Sequence, residues 1–76
     1  MPKRIYVGNL PSSANDREIR AAFARFGKVV SVAVSRGTAT VEMADAAAAS
    51  KAIRALHQTQ MGGKSLNVNE ARPRRG

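Results

Sequence analysis

Apolar and polar residues alternate near the start of the chain. Ile5 and Val7 point one way and Arg4, Tyr6 and Gly8 the other, which predicts a half-buried strand over residues 4 to 8. Pro11-Ser12-Ser13 breaks the pattern. Asn15 then suits an N-cap, Asp16 and Glu18 fall in the positive first turn, and Ile19, Ala22, Phe23 and Phe26 recur at helical spacing. This spacing predicts a helix over residues 16 to 26, closed by Gly27.

Val29, Val32 and Val34 predict a second strand, and Thr38 to Met43 a third with Ala39, Val41 and Met43 on its inner face. Between them Ser35-Arg36-Gly37 reads as a three-residue hairpin loop with glycine last, so the two strands are expected to be antiparallel neighbours. Asp45 suits the cap of a second helix in which Ala49, Ala52, Ile53 and Leu56 face inward, ending near His57. The alanine run from Ala46 to Ala49 favours helix over linker. Gly62-Gly63 predicts a turn, and Leu66 and Val68, alternating with Asn67 and Asn69, predict a last strand. The order is βαββαβ, an α+β fold in which two helices cover one face of an antiparallel sheet and leave the other open.

A chain of 76 residues suits one domain with a single core. Residues 1–71 read as that domain, and Arg72-Pro73-Arg74-Arg75-Gly76, with nothing to bury, as a basic tail. The absence of cysteine excludes disulfides, a thiol nucleophile and cysteine-ligated metals. No apolar run is long enough to cross a bilayer. Met1-Pro2-Lys3-Arg4 is basic like the start of a signal peptide, but Asn9 and Pro11 intervene before any hydrophobic region forms. A soluble, cytoplasmic monomer is the expectation.

Charge narrows the partner. Thirteen Lys and Arg against five Asp and Glu give a formal +8 and a pI near 11.5, which favours a polyanion through phosphate contacts and counterion release. No amphipathic segment sets large apolar residues opposite its basic ones, so a membrane partner is not expected. The chain also lacks an arrangement for catalysis. His57 stands alone near a helix end, and Asp16, Glu18, Glu42, Asp45 and Glu70 are scattered rather than paired. Lys64 after Gly62-Gly63 lacks the spacing of a phosphate-binding loop. Neither an enzyme nor a cofactor or metal is expected.

Two segments carry a resemblance. Ile5-Tyr6-Val7-Gly8-Asn9-Leu10 and Arg36-Gly37-Thr38-Ala39-Thr40-Val41-Glu42-Met43 resemble the hexamer and octamer of the RNA recognition motif family. Phe23 with Phe26-Gly27 resembles the family's first-helix ending, and Asp45 with Ala49 its second-helix start. Leu66-Asn67-Val68-Asn69-Glu70-Ala71-Arg72-Pro73-Arg74 resembles the ending of small bacterial single-motif proteins. The likeness runs over about residues 4 to 71 and implies a ferredoxin-like sheet of order 4-1-3-2, with hexamer and octamer strands at its centre.

The octamer departs from the pattern where it matters. Arg36, Gly37, Ala39 and Val41 match it, while Thr38 and Thr40 stand where the family places outward rings, and Met43 fills core. Stacking is worth ~1–3 kcal/mol per base, so losing two rings costs roughly 2–6 kcal/mol. The usual long loop after the second strand is also absent. Tyr6 remains as the platform ring. The resemblance implies RNA contacts at Arg4, Tyr6, Asn9, Arg36, Thr38, Thr40, Asn67, Asn69, Arg72 and Arg74. Tyr6 would stack, Arg4 and Arg36 meet phosphate, and Asn67 and Asn69 read base edges. The expected function is weak, little-selective binding of single-stranded RNA, with single-stranded DNA not distinguished. The alternative is a protein-interaction module, or an engineered minimal scaffold of the same fold, that has lost most RNA binding.

Overall fold

The computed structural model describes residues 3–71. Along the chain run β1 (Lys3–Gly8), α1 (Asp16–Ala24), β2 (Val29–Ser35), β3 (Thr38–Met43), α2 (Ala46–Leu56), β4 (Gln60–Met61), β5 (Lys64–Ser65) and β6 (Asn67–Glu70). A four-stranded sheet takes the order β2-β3-β1-β6, with each neighbouring pair antiparallel. This is the expected 4-1-3-2 order, with β6 as the fourth strand.

Strand alternation sends one face of this sheet into the core. Ile5, Val7, Val41, Met43 and Val68 are fully buried against Ile19 and Phe23 of α1 and Ala49 and Ala52 of α2. Each large aliphatic side chain withdrawn from water there contributes about 1.5–3 kcal/mol. In β2 the inward valines sit at positions 29, 32 and 34, a spacing that a regular strand cannot place on one side. A bulge between Val29 and Ser31 absorbs the extra residue and leaves Val30 exposed at the sheet edge.

Capping follows the sequence at α1 and departs from it elsewhere. The Glu18 backbone N–H donates to Asn15 Oδ1 at 2.9 Å, the expected N-cap bond. Asp45 occupies the N-cap of α2 but its side chain makes no cap hydrogen bond. Helix α1 stops at Ala24 rather than at residue 26, because the Phe26 N–H turns back to the Phe23 carbonyl at 3.0 Å. Phe26 is therefore only half-buried, while Phe23 is core. Gly27 is not among the residues with positive φ, so it does not close the helix as a left-handed cap. Its role is steric: a Cβ there would stand 2.6 Å from the Ala48 Cβ.

The hairpin after β2 is tighter than expected. Ser35 pairs with Thr38, so the loop is the two residues Arg36 and Gly37, with Gly37 at φ 69°. A second small hairpin, β4–β5, stands where only a turn was expected, with Gly62 and Gly63 both at positive φ. A Gly-Gly pair with paired residues on either side is a known hairpin signal, and two-residue strands are too short to show alternation. His57 has a structural task, since its Nδ1 accepts the Val68 backbone N–H at 3.1 Å and ties the end of α2 to β6.

Candidate nucleic-acid interface

The uncovered face of the sheet is ordered in rows by the strand register. In the central row Asn69, Tyr6, Thr40 and Ala33 stand side by side on β6, β1, β3 and β2. One step along, Asn67, Gly8, Thr38 and Ser35 form a second row. Arg4, Glu42 and Ser31 form a third on the other side. Neighbouring rows on one face are about 7 Å apart, twice the rise per strand residue.

Tyr6 is the ring at the centre of this surface, and 42% of it remains exposed. It does not stand away from the sheet. A Cβ placed on Gly8 would lie 3.0 Å from its Cε2 and 3.1 Å from its hydroxyl oxygen, so the ring reaches along β1 and covers Gly8. Gly8 was expected to face outward in the open; it does face that way, but the ring buries it.

Polar groups surround the ring. Thr40, Asn67 and Asn69 are exposed and Thr38 is half-buried. Among the described residues the side chains of these four make no hydrogen bond within the chain, leaving their donors and acceptors to solvent or ligand. Arg4 lies opposite Glu42, which offsets its charge on the platform, and Lys3 is paired with Glu70 at 2.6 Å on the other side of the same strands. The centre of the face is thus nearly neutral. Beyond the rows, at the hairpin end of the sheet, stand the exposed basic side chains of Arg36 in the hairpin tip and Lys64 in β5.

The structure gathers Arg4, Tyr6, Thr38, Thr40, Asn67 and Asn69 on one surface and sets Arg36 at its end. Asn9 is placed differently. It leaves the strand at φ 61° and its Nδ2 donates to the Ser65 carbonyl at 2.7 Å, which holds β5 against the end of β1. Arg72 and Arg74 lie outside the described residues. Lys64, exposed just after the Gly62-Gly63 turn, lies at the same end of the sheet as Arg36. Among the described residues no group of three His, Cys, Asp or Glu side chains comes together to hold a metal.

Comparison with known proteins agrees with this arrangement. The RNA recognition motif family matches residues 5–67 of the chain. RNA-binding protein 4B of Mus musculus is 35% identical over 69 residues, covering 91% of this chain and 19% of that protein. Glycine-rich RNA-binding protein RZ1C of Arabidopsis thaliana is 33% identical over 81 aligned positions, covering 96% of this chain and 26% of that protein. The chain therefore spans only about a fifth to a quarter of the length of these curated relatives. Among solved structures, the crystal structure of RNA Binding Protein PG1 superposes with a TM-score of 0.90 at 33% identity, covering 97% of this chain and 99% of that one. The RNA recognition domains 1 and 2 of Sex-lethal from Drosophila melanogaster give a TM-score of 0.89 at 28% identity, over 93% of this chain and 50% of that one.

Proposed function

As this chain belongs to the RNA recognition motif family, we propose that it is a binding module that takes single-stranded RNA on the open face of its sheet. The observation that carries this reading is Tyr6, an aromatic ring left exposed at the centre of an uncovered four-stranded sheet. A large ring stays in water at a cost unless it meets a partner, and an unpaired base offers a flat apolar face to it. Asn69 and Thr40 flank the ring and would meet the edges of that base or its sugar hydroxyl.

The binding is weak and little selective on this reading. One ring supplies ~1–3 kcal/mol where three would supply about three times as much. The near-neutral centre of the face adds little attraction for phosphate, so the electrostatic share falls to Arg36, Lys64 and the arginines after residue 71. Binding rather than catalysis is what the chain's side chains serve. RNA and single-stranded DNA differ at the 2′-hydroxyl, which the free asparagine amides and threonine hydroxyls are suited to sense.

A backbone-amide NMR titration with mixed-sequence single-stranded RNA tests the reading. Shifts are expected on β1, β3 and β6, with quiet signals along the exposed faces of α1 and α2. Shifts confined to the helices would place the contact on the opposite side and favour a protein-interaction role.

A further inference from the structure

Three loops meet at one end of the sheet and form an open cavity of about 540 Å³. Its walls include Leu10, Pro11, Ala14 and Val34, with Arg36 and Lys64 among its lining residues. Leu10 and Pro11 are buried and Val34 and Ala14 half-buried, so these form an apolar floor; Arg36 and Lys64 are exposed, so they stand at the rim. Among the described residues no carboxylate lines it. Among the described residues neither rim cation has an ion-pair partner.

The loops are tied to one another. The Leu10 N–H donates to the Gly37 carbonyl at 3.0 Å, joining the first loop to the hairpin tip. Asn9 holds Ser65 through its side-chain amide, and Gly62 packs so closely on Pro11 that a Cβ there would stand 3.0 Å from the ring. These contacts bring β5, and with it Lys64, to the rim. With only Arg36 and Gly37 beyond the last pair of β2 and β3, this hairpin has no residues to fold over the opening.

We infer that this cavity takes one nucleotide, its base on the apolar floor and its phosphate between Arg36 and Lys64. The volume lies within the range of small-molecule pockets, and an apolar floor with a paired cationic rim matches a flat ring that carries an anion. The source is the same strand that crosses the platform, because Ser35, at the end of the row of Asn67, Gly8 and Thr38, also lines the cavity. The inference therefore rests on the RNA reading above and extends it by one binding position outside the sheet face.

The test uses a mixed-sequence RNA hexanucleotide and, separately, uridine 5′-monophosphate, followed by amide NMR. With the hexanucleotide, signals of Ser12, Ala14 and Gly37 are expected to move together with those of Thr40 and Asn69. Lys64→Gln is expected to weaken hexanucleotide binding roughly threefold to fivefold at physiological salt and to reduce the salt slope by about 0.7. Ala14→Leu, which adds carbon to the floor, is expected to abolish the shifts at Ser12 and Gly37 while those at Thr40 and Asn69 persist. Saturable shifts at the cavity with the mononucleotide alone would support the site and assign it to free nucleotide. Platform shifts without cavity shifts would overturn the cavity proposal and leave the platform reading standing. No shift at either place would overturn both. Lys64→Gln with unchanged affinity and slope would remove the rim phosphate contact and overturn the site as proposed.

Discussion

The ring of Tyr6 lies over Gly8, two residues further along the same strand, so close that a Cβ on the glycine would meet it at 3.0 Å. The glycine thereby sets the orientation of the ring from below. Gly8→Ala is expected to fold with a thermal midpoint close to that of the parent, since the strand tolerates alanine and Tyr6 is free to swing outward. A base would then have to immobilise a looser ring, at a cost of about 0.5–1 kcal/mol. RNA affinity should fall severalfold, and the Tyr6 ring protons should shift in the free protein. Unchanged ring shifts would mean that the two residues do not touch in solution.

A stability prediction concerns the other close glycine. Gly27→Ala forces a methyl to within 2.6 Å of the Ala48 Cβ, a contact between two atoms fixed to backbone. Parting α1's end from α2 is expected to cost about 1–3 kcal/mol, or roughly 5–20 °C in thermal midpoint. Adding Ala48→Gly should recover part of that loss despite its own helix cost. A single variant as stable as the parent would contradict the packing of these two segments.

Replacing Thr38 and Thr40 together with phenylalanine sets two rings beside Tyr6. Thr40 is its direct cross-strand neighbour and Thr38 lies opposite Gly8, which the ring covers. The double variant should fold, since both positions face outward and phenylalanine suits a strand. Affinity for single-stranded RNA should rise, by up to roughly 2–6 kcal/mol if both rings engage. Self-association through the enlarged apolar patch is the outcome to check by sedimentation. A folded monomer with no gain would argue against base stacking on this face.

Salt dependence reports the electrostatic share. Log affinity should fall linearly with log salt, by about 0.7 per phosphate contact on a single strand. Ending the chain after Ala71 removes Arg72, Arg74 and Arg75 and should lower the slope by up to about 2. The buried core is drawn from residues 5 to 68, so the shortened chain should keep its thermal midpoint. An unchanged slope would mean that these arginines make no phosphate contact.

Much of this architecture is legible in the sequence because alternation and helical spacing report which face of each element meets the core. Ile5, Val7, Val41 and Val68 are buried as their period requires, and the same period sets Tyr6, Thr40 and Asn69 outward in one row. What the pattern does not carry is anything that depends on two distant segments meeting. That Gly27 is needed for the approach of Ala48, that His57 bonds the amide of Val68, and that Asn9 serves Ser65 are relations across the fold. The ring over Gly8 is a rotamer, which periodicity does not specify. The bulge at Val30 is a middle case, because the three-then-two spacing of the valines hints at it once the partner strand is known.

Tyr6→Ala tests the central claim most directly, measured as the affinity for a mixed-sequence single-stranded RNA at fixed, moderate salt beside the parent protein. Because the ring is exposed and rests on the outer side of the sheet, the variant should stay folded, with amide signals of the core unchanged. Its affinity should fall by ~1–3 kcal/mol, between about fivefold and a hundredfold or more. A folded variant that binds the same RNA as tightly as the parent would show that the open face of the sheet is not where the strand is held.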